Sequence, residues 1–328
     1  MADQTGVCGP GGSPGLVSVP CIIVFYMFTP KLPSFVSCLL LLSAFTYTYP
    51  QSVEPELIKP STANPLIRNF DDTNVILRPA KMDDAPILVF LPGTNGKPEN
   101  PKLLLQVAAE QGYRVLGLEY DDIPAVDQVC PNIPDRTCAE KFREMRIWGT
   151  GAGAPGLTNP IEESIVARLV ALLQILAKRH PSEKWGEYLT PDNKPVWARI
   201  AIAGQSQGAG MAAFIAKKES VYRVILFSSP IDFTKGQEIV QFAPWLTWPS
   251  ATPPERWYAE RNVREPFNEK LTKTYPLLGI PTNHVIVNKL NLPVNAEASN
   301  PMAYHGTNIK DPRYIPEWRF LFGTVGTR

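Results

Sequence analysis

Residues 197–218 read WARIAIAGQSQGAGMAAFIAKK. The first seven are mostly apolar and carry Ile200 and Ile202 at strand spacing; residues 209–217 are small and apolar until two lysines close the run, as expected of a helix. Between them stands Gly204-Gln205-Ser206-Gln207-Gly208. A bare G-x-S-x-G match is common, but strand, sharp turn and helix in that order is the setting in which a serine is held on a strained turn with Oγ exposed. The two glycines remove side chains that would collide where strand and helix pass closely. Ser206 is therefore expected at the carboxyl edge of a sheet. The competing reading is a small-residue turn without chemistry.

Outward from this stretch, short β-rich runs alternate with helical ones, the pattern of an α/β domain with a parallel sheet. Residues 86–91 (PILVFL) read as a buried strand ended by Pro92-Gly93-Thr94-Asn95-Gly96, and 102–111 as a helix. Strands are expected at 113–119, 197–203 and 222–227, with weaker candidates at 256–261 and 284–287. The clearest helix is 161–179, apolar at i, i+3 and i+4 and bounded by Asn159-Pro160 and His180-Pro181; a last helix is expected at 315–322. Two segments exceed ordinary loop lengths. Residues 120–159 and 233–255 read as rim or lid segments, with Phe242, Trp245 and Trp248 as candidate substrate contacts, or else as a small satellite core.

A serine hydroxyl is a weak nucleophile, so it needs a base within reach and a third group to orient that base. The chain has three histidines. His180 ends the long helix, where a cation suits the dipole, and reads as structural. His284 opens a strand. His305, in PMAYHGTN, falls on an irregular loop between the last strand and last helix and is the favoured base. The acid is left between Glu265, in NVREPF, and Asp232, in SSPIDF, with Asp311 a weaker candidate; Glu265 is favoured because a further strand carries it towards the His305 loop. Donors for an oxyanion are expected from the backbone N–H of Gln207 and from the LPGTNG loop at Thr94, where Gly93 permits close approach.

Composition narrows the classes further. Thirty-two basic against 31 acidic residues, with only 19% charged, give no electrostatic footprint for nucleic acid, and 44% hydrophobic residues exclude disorder. The 34 prolines suit long, rigid surface connections. Gly151-x-Gly153-x-x-Gly156 matches a dinucleotide fingerprint by letter, but no strand precedes it and no acid follows at the required distance. Gly96-Lys97 is followed by Pro98, which breaks a phosphate-loop pattern, so no nucleotide cofactor is implied.

Residues 1–50 carry only Asp3 and Lys31 as charges and read as a leader preceding a single domain over 51–328. Within the leader, the apolar run 35–45 (FVSCLLLLSAF) is too short to span a bilayer and has the length of a signal-peptide core. Translation is expected to start at Met27, with cleavage near 46–48 and secretion of the remainder; an uncleaved membrane anchor is the rival, opposed by Pro20, Pro30 and Pro33. Cys8, Cys21 and Cys38 lie in the leader. That leaves Cys130 and Cys138, which bracket PNIPDRT and would close a disulfide worth about 2–3 kcal/mol, or else remain thiols. No second cysteine or histidine pair accompanies them to suggest zinc.

The strand ending in LPGT, the Gly204–Gly208 turn and an acid then His305 downstream resemble the α/β-hydrolase superfamily over residues 75–325. An LPGT branch of little-characterised hydrolases looks nearest. The resemblance implies an eight-stranded, mostly parallel sheet with helices on both faces, serine hydrolase chemistry through an acyl-enzyme, and no cofactor or metal. Ser206 matches the nucleophile, Gln207 and Thr94 the oxyanion donors, His305 the base, and Glu265 or Asp232 the acid. The chain departs from many members in lacking an HGGG string and in placing Gln205 before the serine where they have His or Asp. The implied substrate is a small-molecule or lipid-like acyl ester. An acyltransferase or peptidase on the same fold, and a secreted binding protein without activity, are the other classes.

Overall fold

In a computed structural model of the chain, the described residues are 54–235, 240–292, 300 and 302–326. The leader, with Met27 and the apolar run 35–45, lies outside them. The strands are β1 (Glu56–Ile58), β2 (Asn74–Leu77), β3 (Ile87–Leu91), β4 (Arg114–Gly117), β5 (Ile200–Gln205), β6 (Arg223–Phe227), β7 (Phe233–Lys235), β8 (Val240–Phe242), β9 (Trp257–Asn262) and β10 (Val285–Asn288). Eight form one sheet in the order β1-β2-β4-β3-β5-β6-β9-β10, and β7 and β8 make a separate hairpin. Within the eight-stranded sheet only β2 runs against the rest: it pairs antiparallel with β1 and β4, whereas every other pair of that sheet is parallel.

The central strands are buried on both faces, so their apolar runs are continuous and period two sorts them. Ile87, Val89 and Leu91 face one core with Ile200, Ile202, Val224 and Leu226. Leu88 and Phe90 face the other with Ala201, Ala203, Ile225 and Phe227. Helices Cys138–Trp148, Ile165–Arg179 and Gln207–Lys218 cover the first face; Lys102–Glu110 and Ile315–Phe322 cover the second. After β3 the chain turns to β4 on one side and then crosses to β5 on the other. The carboxyl ends of β3 and β5 therefore bound a topological switch point, where ligands enter open α/β sheets.

Several boundaries differ from the sequence expectation for local reasons. The long helix begins at Ile165, not 161, because Ser164 Oγ caps the Ala167 N–H at 3.3 Å while residues 161–163 form a tight 3-10 turn. β5 begins at Ile200 after a similar turn at Trp197–Arg199. The segment 120–159 contains an 11-residue helix, Cys138–Trp148, which its sequence hides because two of its core-facing positions are Arg143 and Arg146. Cys130 and Cys138 form a disulfide tying the start of that helix to the preceding turn. No helix among the described residues is long and apolar enough to cross a membrane.

The aromatics of 233–255 belong to the core. Trp245 is fully buried with its ring edge-on to Phe214, and Phe242 and Trp248 pack against the same cluster. Arg143 and Asp232 complete this region as a fully buried pair, Nε donating to Oδ2 at 2.7 Å and Nη2 to Oδ1, with Trp245 Nε1 also donating to Oδ2 at 2.9 Å. Removing one partner strands the other charge. Arg143→Met is expected to lower stability by about 3–5 kcal/mol, read from the denaturant midpoint. An unchanged midpoint would show that the pair does not hold this helix to the sheet.

Candidate active site

Helix Gln207–Lys218 starts directly after β5, and the turn between them is as tight as backbone allows. A Cβ on Gly208 would collide with the Leu91 carbonyl at the end of β3, and one on Gly204 would collide with the Gly208 backbone. Ser206 itself takes φ 52° and ψ −121°, a left-handed backbone costly for any residue but glycine. Its N–H donates to Phe227 O at 2.9 Å, anchoring the turn on the end of β6. A strained serine at the carboxyl edge of this strand order decides the architecture. The chain has the α/β-hydrolase fold.

A cavity of about 420 Å³ opens above the switch point of this fold, with Ser206 and His305 in its wall. His305 is buried, and its Nδ1 lies 2.9 Å from Glu265 Oε2. Glu265 is held in turn by the Asn262 N–H, which donates to Oε1 at 3.0 Å. An ionised carboxylate only accepts, so in the neutral imidazole Nδ1 carries the proton and Nε2 the lone pair. Nε2 is buried and has no hydrogen-bond partner among the described residues. The Phe267 ring meets the imidazole edge-on at 5.0 Å.

The structure thus separates the carboxylates that sequence left open. Glu265 reaches the imidazole, Asp232 is consumed by Arg143 and Trp245, and Asp311 pairs with Arg313 at 2.6 Å. His305 sits on the short helix Met302–Thr307, not on an irregular loop; the run MAYHGT is too brief and too glycine-interrupted to show a period. His284 stacks on Tyr258 and faces Trp257 O, and His180 caps its helix against Glu56. Neither lines the cavity.

Thr94 lies in the cavity wall beside Gly93. Gln207 is the first residue of its helix, where the N–H has no intrahelical acceptor. Its side chain turns away, accepting from Val126 N at 3.1 Å and donating to Pro124 O at 3.3 Å. Gln205 on the other side of the serine donates to His305 O at 2.9 Å. The two glutamines flanking Ser206 therefore each hold one wall: the helix of His305 and the segment that brings Ala125, Asp127 and Gln128 to the cavity. Sequence reasoning noted Gln205 only as a departure from the family pattern.

Behind His305 lies a second buried acid. Glu260, on β9, is fully buried, and Oε2 accepts from Asn308 Nδ2, three residues past His305, at 2.6 Å. Burial raises its carboxyl well above the usual range, against the lowering effect of the Asn308 hydrogen bond. Among the described residues Glu260 Oε1 and Asn308 Oδ1 have no hydrogen-bond partner.

No protein-family model matches the chain, and no curated protein matches it. Solved structures similar to it include an alpha-beta serine hydrolase homologue from Coxiella burnetii, at 16% identity over 74% of this chain and 89% of that one, with a TM-score of 0.38. Esterase 2 of Thermogutta terrifontis phosphonylated by sarin is 13% identical over 85% and 99%, at 0.45. An inhibited esterase B from Lactobacillus rhamnosis is 14% identical over 83% and 85%, at 0.42.

An acid whose folded-state pKa is raised stabilises the fold most below its unfolded value of 4.5, and that contribution declines as pH rises towards the folded value. Glu260→Gln keeps the hydrogen bonds and cannot ionise. The difference in unfolding midpoint between variant and wild type is expected to move in the variant's favour from about pH 5 to about pH 9. A difference that is flat over that range would mean Glu260 is not held protonated.

Proposed function

We propose that the chain is a serine hydrolase of acyl esters working through an acyl-enzyme, with Ser206 as nucleophile, His305 as base and Glu265 as the acid that orients it. The observation that carries this reading is the state of His305. Nδ1 is committed to Glu265, and Nε2, carrying the lone pair in the neutral ring, is unpartnered beside the cavity that Ser206 lines. In the reaction His305 Nε2 takes the proton from Ser206 Oγ as the oxygen attacks the carbonyl carbon. Glu265 stabilises the imidazolium. The imidazolium returns the proton to the leaving alcohol, and a water activated by Nε2 then hydrolyses the acyl-enzyme and regenerates the serine.

The tetrahedral oxyanion would lie between the N–H groups of Thr94 and Gln207. The second of these also presents the positive end of the helix dipole. No step needs a metal or cofactor. At about 420 Å³ the cavity lies towards the lower end of ligand-site volumes, and Phe267 and Met302 share its wall with Asn95, Asn100, Asp127 and Gln128. That lining supports a short or polar acyl group over a long lipid chain. A buried disulfide supports the secreted reading, with the leader removed in the extracellular protein.

Labelling of the purified protein with a fluorophosphonate tests the assignment. Wild type is expected to label at Ser206. Ser206→Ala should abolish labelling, and His305→Ala and Glu265→Gln should slow it by about two to four orders of magnitude. Asp232→Asn should act through stability instead, lowering the unfolding midpoint. A folded wild type that resists the reagent would count against the hydrolase reading and favour a binding protein on the same fold. Loss of labelling in a stable Asp232→Asn, with Glu265→Gln unaffected, would reassign the acid.

A further inference from the structure

The loop that carries Thr94 is held at both ends by one neighbouring segment, the chain just past β4. Tyr120 Oη donates to Pro92 O at 2.9 Å. Asp122 Oδ2 accepts from Gly96 N at 3.1 Å, an N–H that also closes a tight turn onto Gly93 O at 2.7 Å. Both side chains are buried, and neither lines the cavity. Beneath the loop, Gln205 Oε1 fills the space that a side chain on Gly93 would need, and Asn95 takes φ 58°. The loop is thus bent over a fixed support and fastened at its two ends.

The fastening is energetically odd. Among the described residues Asp122 has no cationic partner: Arg146 pairs with Asp121, and Arg168 with Glu163. A carboxylate buried against backbone N–H groups alone costs stability compared with a neutral or paired residue. The chain keeps this destabilising group at the point where it sets Gly96, two residues from the expected oxyanion donor. An oxyanion donor is effective only within a few tenths of an ångström of its working position. The Gln207 donor is fixed by its helix, whereas Thr94 has no regular element to fix it.

We propose that Tyr120 and Asp122 are positioning residues of the oxyanion loop, setting where the Thr94 N–H points relative to Ser206 without touching substrate. This rests on the serine hydrolase reading. Their effect falls on the transition state, because the loop meets the carbonyl oxygen most closely once it becomes an oxyanion.

The test uses the full chain and p-nitrophenyl acetate, with fluorophosphonate labelling of Ser206 as a second readout. Asp122→Ala is expected to lower kcat about 10- to 100-fold with KM within about threefold, and to unfold at the same or a higher temperature than wild type. Asp122→Asn, whose amide oxygen still accepts from Gly96, should stay within about fivefold of wild type. Tyr120→Phe should lower kcat with KM unchanged. An unchanged kcat in Asp122→Ala overturns the proposal. So does a kcat that falls together with the unfolding midpoint and is not restored by asparagine, since that is the signature of a merely structural group. A wild type that neither labels nor turns over the ester overturns the hydrolase reading, and this inference with it.

Discussion

The approach of one helix to one carbonyl governs the arrangement of this molecule. Gly208 lies so close to the Leu91 carbonyl, and Gly204 so close to Gly208, that no side chain fits at either position. That contact locks the end of β3, the end of β5 and the start of helix Gln207–Lys218 into one block. The left-handed backbone at Ser206 persists because this packing over-determines it. Both halves of the expected oxyanion site also hang from the block: the loop after β3 on one side, and the first helical N–H on the other.

The buried polar groups divide by what they hold. Arg143 and Asp232 fasten the helix Cys138–Trp148 to the segment that follows β6, and the cost of burying both charges is offset by their bidentate contact. Glu265 and Glu260 both anchor the His305 region. One is bonded to the imidazole itself and the other to Asn308 just beyond it. Among the described residues Asp122 has only backbone for company. These acids share a residue class and little else, and it is the partner each one finds that separates structural from chemical use.

Much of this was legible in the sequence where pattern and chemistry agreed. The strand before Ser206, the sharp turn and the helix after it read directly, because small residues and two glycines leave few other conformations. Residues 315–322 read correctly as a helix because Pro316 stands in its first turn and Trp318, Leu321 and Phe322 share a face. Strand β1 at the sheet edge and β2 beside it did not read, being three and four residues long. Helix Cys138–Trp148 did not read because buried arginines break its apolar face, and their partners are far away in the chain. At the site, Glu265 was distinguished from Asp232 only by a strand between them, which is an argument from topology. Asp122 and Tyr120 gave no signal: their meaning lies in backbone groups of a loop some 26 residues earlier.

The glutamines around Ser206 reach in opposite directions, and the one before it ends on the carbonyl of His305. Ser206 is set in the tight junction of β5 with the helix after it, while His305 rides on a six-residue helix whose bearings are Gln205, Glu265 and the Trp318 indole that donates to Asn308 O. Of these two side chains, one is therefore a fixed datum and the other an adjustable coordinate. Drift in the sequence that reshapes this cavity has little room to work on Ser206. It can move the imidazole instead, through Trp318 and the carboxyl-terminal helix that carries it, at positions far from the cavity.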